Sequence, residues 1–186
     1  MLKDELYRIR PVSKIHLMKQ LITTVIVLLF PLFIFSQDIT GLWKGNMYND
    51  STKNSLPYEL LIRKEKGKFI GFSYSRFSIG GEEYYGIKKV KIVVAKDGKI
   101  VIIDAGLIEN NYPESPDKKI SQLNVLDMVS RENENILEGP FVTNNTKQFR
   151  EVTGYINVKR VNTFSESSLM QYFQKKGTDN GVAFVQ

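Results

Sequence analysis

Residues 90–105 read VKIVVAKDGKIVIIDA, two runs of Val and Ile on either side of Asp97-Gly98. Short β-branched runs bounded by turn residues are strand signals, and Asp-Gly between them signals a hairpin. A two-residue type I′ turn, with positive φ at both central positions, suits this pair and sets a register. Lys96 then lies opposite Lys99, and the buried face pairs Val94 with Val101, Ile92 with Ile103 and Val90 with Ala105. On the other face Lys91 meets Asp104, so Asp104 is expected outside as a cross-strand partner worth about 0.2–1 kcal/mol.

The same pattern extends in both directions. From Gly41 onward, eight segments rich in Val, Ile, Tyr and Phe fall near 41–48, 57–65, 68–77, 84–95, 99–108, 121–130, 135–142 and 153–161, separated by Gly, Asn, Asp and Lys turns. The short connections read as a meander. An all-β fold follows, an eight-stranded antiparallel up-and-down barrel over residues 37–161, because closure removes the sheet edges; a Greek-key sandwich is the alternative. Asp127 sits inside an apolar strand after a long loop, which leaves its facing open, with outward exposure favoured. Residues 162–186 read as a short C-terminal helix and a tail. Thr163 and Glu166 fit a capping box, Leu169 and Phe173 form an apolar i, i+4 pair, Lys175 and Lys176 suit the C-terminal dipole, and Gly177 is the expected stop.

Ahead of the barrel, Leu21 to Phe35 carries no charge, yet is shorter than the roughly 20 apolar residues a spanning helix needs. Residues 1–36 are therefore read as a signal peptide, with Lys19 before the apolar stretch and a cut between Ser36 and Gln37. Residues 1–17, with Asp4 and Glu5 among their basic residues, read as an over-called start ahead of Met18; an uncleaved signal anchor is the alternative. The mature protein is expected to be exported, periplasmic or extracellular, with no stable membrane span after cleavage. Removing five basic and two acidic residues lowers the formal charge from +6 to +3, too little for a nucleic-acid surface. The cut also removes the one histidine, and the chain has no cysteine. Ser-His-Asp and Cys-His catalysis, imidazole or thiolate metal sites and disulfides are thereby excluded from the mature domain. No catalytic residue, metal or cofactor is expected.

The opening Ile39-Thr40-Gly41-Leu42-Trp43 resembles the start of calycin barrels, the superfamily of lipocalins, fatty-acid-binding proteins and avidins, and looks most like an avidin opening. KGKFIGFSY, residues 66–74, resembles the avidin turn followed by an apolar-Gly-aromatic strand. The resemblance implies that Trp43 closes one barrel end and that Arg160, in GYINVKRV, packs over it. Trp43 is the chain's sole tryptophan, so the several tryptophans that surround biotin in avidins are missing, as are lipocalin disulfides. No avidin ligand residue carries over.

An eight-stranded barrel either fills with side chains or leaves room for one small ligand. The first functional reading is non-catalytic binding of a small apolar or aromatic ligand at the barrel mouth, with Tyr58, Phe72, Tyr74, Tyr84 and Tyr85 as lining. The alternative is an envelope-associated protein-binding or inhibitor module with a filled barrel and an unknown protein partner. An enzyme would be limited to carboxylate, Lys, Tyr or Ser chemistry.

Overall fold

The computed structural model describes residues 38–180 apart from Lys118 and Gln148; the 1–36 leader, its Ser36–Gln37 junction and the 181–186 tail lie outside the described residues. The elements are β1 (Gly41–Asn49), β2 (Asn54–Glu65), β3 (Lys68–Ile79), β4 (Glu82–Val94), β5 (Ile100–Asn110), β6 (Gln122–Arg131), β7 (Glu134–Thr143), β8 (Thr153–Val161) and α1 (Ser168–Asn180). Each strand pairs antiparallel with the next, and β8 returns to β1, so the meander closes into a barrel. Alternation accounts for the strands. In β8, Gly154, Ile156 and Val158 are buried while Tyr155, Asn157 and Lys159 are exposed between them.

Two-residue hairpins with positive φ at both central positions occur at Lys66-Gly67, Gly80-Gly81 and Glu132-Asn133. Asp97-Gly98 is different. Only Gly98 has positive φ (86°), Gly98 N–H donates to Ala95 O at 3.0 Å, and Ala95 pairs with Lys99, so the loop has three residues. The β4–β5 register therefore shifts by one from the sequence expectation, to Val94–Ile100, Ile92–Ile102 and Val90–Asp104. A one-residue slip moves every side chain of a strand to the opposite face. The slip turns β5 over: Asp104 faces inward instead of meeting Lys91, and Ile103 lies on the exposed face.

The barrel interior is built from Trp43, Leu60, Ile62, Val90, Ile92, Ile100, Ile102, Leu126, Leu137, Phe141, Ile156 and Val158, all buried. A second apolar layer lies outside the wall. There Leu169 and Met170 of α1 pack on Leu42, Leu61, Tyr74 and Ile87, and the Phe173 ring meets Phe72 edge-on at 4.7 Å. The expected Thr163/Glu166 box does not cap this helix. Ser167 does, accepting Met170 N–H on Oγ at 3.1 Å, because α1 begins at Ser168. Gly177 does not end α1, which continues to Asn180, so Lys175 and Lys176 fall before its last turn.

Candidate functional site

One end of the barrel is sealed. Trp43 is fully buried, and its Nε1 donates to Ile39 O at 3.0 Å. Arg160, opposite Trp43 in the β1–β8 register, sets its guanidinium 4.8 Å from the indole centroid, within cation–π range. Leu60, Ile62, Ile100, Leu137 and Val158 fill the space beside it.

Toward the other end the lumen turns polar. The Lys88 ammonium lies 2.6 Å from Asp104 Oδ2, an ion pair whose side chains are 24% and 9% exposed. Register shifts at Ile87/Lys88 and Lys89/Val90 bring the two into reach across β4 and β5. β5 pairs with β6 over only four positions, Ile100–Ile103 with Leu126–Leu123, and next to that ladder Gln122 N–H bonds to Asp104 Oδ2 at 3.1 Å. The wall is completed there by a side chain instead of a backbone ladder. Deeper in, Gln122 Nε2 donates to Asn124 Oδ1 at 2.7 Å, and the buried Tyr58 phenol lies beside Ser73 and Asn124. Burial, and then the Asp104 charge, push the Tyr58 phenol well above the ordinary tyrosine value, so it stays protonated.

Tyr112, from the β5–β6 loop, caps this polar half. Asn111 anchors it: Oδ1 accepts Tyr85 N–H at 2.6 Å, and Nδ2 donates to Glu83 O at 3.1 Å. The Asn110 carboxamide oxygen accepts Tyr112 N–H at 3.1 Å, a short Asx turn that aims the ring inward. The ring packs 5.4 Å from Phe77, which lies 5.8 Å from Tyr84, and the phenol lies beside Ser75. Its hydroxyl takes the space a Cβ on Gly86 would fill, so Gly86 is there for close approach. Burial, with Asp104 second, raises the Tyr112 phenol as well.

The five aromatic residues expected to form one lining are divided. Tyr58 lies in the lumen and Tyr84 at the capped mouth, whereas Phe72, Tyr74 and Tyr85 stand on the outer wall beside α1. The two-residue Lys66-Gly67 turn carries the signal for this: it pairs Glu65 with Lys68, hence Tyr58 with Ser75 and Glu59 with Tyr74, which puts Tyr58 and Tyr74 on opposite faces. On the outer wall, Tyr74, Tyr85, Ile87 and Glu109 form with Ser168, Gln171, Tyr172, Lys175 and Lys176 a cleft of about 420 Å³. A more open cleft of about 670 Å³ lies between the β5–β6 and β7–β8 loops, lined by Asp117, Lys119, Asn144, Asn145, Thr146 and Lys147. Asp127 faces outward and binds Lys99 Nζ at 2.8 Å. Among the described residues, no group of three or more His, Cys, Asp or Glu side chains is placed to hold a metal ion.

Fold and site together define a closed eight-stranded antiparallel meander barrel, apolar and sealed at its Trp43 end, and at the other capped by a loop tyrosine, with polar groups beside Met47 and Phe141. Comparisons with family models, curated proteins and solved structures give no match.

Proposed function

We propose that this chain is an exported, non-catalytic barrel that binds a small aromatic ligand in the polar half of its lumen. One observation carries the reading. On β3 and β4 the inward-facing Ser73, Ser75 and Gly86, below the Phe77–Tyr84 pair at the mouth, carry small side chains or none, and beside them the Lys88–Asp104 pair, Gln122, Asn124 and Tyr58 offer donors and acceptors. Small-molecule sites combine apolar walls with a few placed polar groups in this way. The Gly41-Leu42-Trp43 opening, with Arg160 over the indole, supports a calycin-like reading of the barrel. The uncharged Leu21–Phe35 stretch supports export, with intact mass expected to show a mature start at Gln37.

Thermal unfolding of the purified protein against lipids, quinones and aromatic compounds tests the binding. A ligand at a hundred times its Kd stabilises the fold by about 2.7 kcal/mol, and Asn124→Leu should abolish that shift. A second reading, a protein-binding module, draws support from the outer wall of β4–β6, where exposed Val93 and Ile103 adjoin half-buried Val101, Leu123 and Val125. Absence of any small-molecule shift, with co-purification of an envelope protein or polysaccharide, would favour this second reading.

A further inference from the structure

We infer that Tyr112 is the resident occupant of the lumenal site, and that the ligand is a phenol which enters by taking the place of the Tyr112 side chain. This rests on the lumenal reading above. Tyr58, Ser75, Phe77, Tyr84, Gly86 and Lys88 belong to strands and are fixed by the barrel ladder. Tyr112 comes from a connection, held at its base by Asn110 and Asn111, and its ring can leave without breaking a strand pair. The site is shaped for what it now holds. Phe77 flanks the ring, Gly86 has no Cβ where the hydroxyl lies, and Ser75 lies beside the phenol. The glycine admits the hydroxyl, which a Cβ at position 86 would exclude. A site that hydrogen-bonds a hydroxyl rejects the analogue lacking it far more strongly than an apolar pocket rejects a methylene.

Competition from a tethered tyrosine weakens a ligand by the fraction of molecules in which the site is open. p-Cresol reproduces the Tyr112 side chain from its Cβ outward, and toluene is the same ring without the hydroxyl. Calorimetric titration of both into wild type, Tyr112→Gly and Tyr112→Gly/Gly86→Ala separates the possibilities. p-Cresol should bind Tyr112→Gly at least tenfold tighter than wild type and at least tenfold tighter than toluene, and the added Gly86→Ala should remove the binding. If Tyr112→Gly is too unstable to titrate, a rise in its Tm with p-cresol but not toluene reads the same property, with Tyr112→Phe as the folded control. Equal p-cresol affinity in wild type and Tyr112→Gly would overturn the resident-occupant role. Equal binding of p-cresol and toluene to Tyr112→Gly would overturn the phenol class. If other aromatic compounds stabilise wild type in an Asn124-dependent way while p-cresol binds none of the three proteins, this inference fails and the lumenal reading stands.

Discussion

The Glu59 carboxylate, on the outer wall of β2, caps α1 together with Ser167, a residue 108 positions later: Oε2 accepts the Ser167 hydroxyl at 2.5 Å and Leu169 N–H at 3.0 Å, and Oε1 accepts Ser168 N–H at 3.1 Å. The first N–H groups of a helix have no partner within it, and a carboxylate there also meets the positive end of the helix dipole. The barrel itself thus supplies what the helix lacks. Lys44 strengthens the link, donating to Glu166 O at 2.6 Å while lying 3.8 Å from Glu59 Oε1. Glu59 is 6% exposed, so little water competes for these bonds.

Glu59→Ala should destabilise the protein by about 1.5–3 kcal/mol, the range for hydrogen bonds to a charged group, and Ser167→Ala by about 1 kcal/mol as a lost cap. Denaturant titration measures both. Limited proteolysis adds the local signature, since cleavage within α1 should speed up in Glu59→Ala while the barrel stays protected. Unchanged protection of α1 in that variant would mean that apolar packing on Leu61 and Tyr74 holds the helix without the carboxylate.

At the sealed end, Trp43→Ala removes a fully buried indole and should cost about 3–5 kcal/mol. Arg160 lies over the same ring, so part of its contribution disappears once the indole is gone. A double-mutant cycle with Arg160→Ala should show coupling above about 0.5 kcal/mol. Additive losses would reduce the cation–π contact to mere proximity and remove a support of the calycin-like reading.

The barrel was legible because apolar strand runs are separated by turn residues and strands such as β8 alternate, with Ile156 and Val158 turned in and Tyr155 and Lys159 turned out. What sequence reading missed came from one loop and from non-local packing. Asp97-Gly98 fits either a two-residue or a three-residue loop, and the single-residue difference decides whether Asp104 faces water or Lys88. Tyr112 sits in a segment with Pro113 and Pro116 and no periodic pattern, so its place over Gly86 depends on Asn111 meeting Glu83 and Tyr85 in the folded chain. Glu59 as the cap of α1 is equally non-local, whereas the opposite facing of Tyr58 and Tyr74 was available from the Lys66-Gly67 turn.

The Lys88–Asp104 pair should respond unequally to loss of its two partners. Removing one member of a buried ion pair leaves an uncompensated charge and costs about 3–5 kcal/mol, whereas replacing both together is often close to neutral. Asp104 is the more enclosed partner, at 9% side-chain exposure against 24% for Lys88, and a lysine stem can carry its ammonium outward to water. Lys88→Met should therefore cost more than Asp104→Asn. Asn at 104 also keeps an acceptor for Gln122 N–H, which a Leu would leave unsatisfied at about 1–3 kcal/mol. The double variant Lys88→Met/Asp104→Asn should then return to within about 1 kcal/mol of wild type, measured by denaturant titration at neutral pH. A Lys88→Met variant as stable as wild type would mean that water reaches Asp104 through the short β5–β6 ladder.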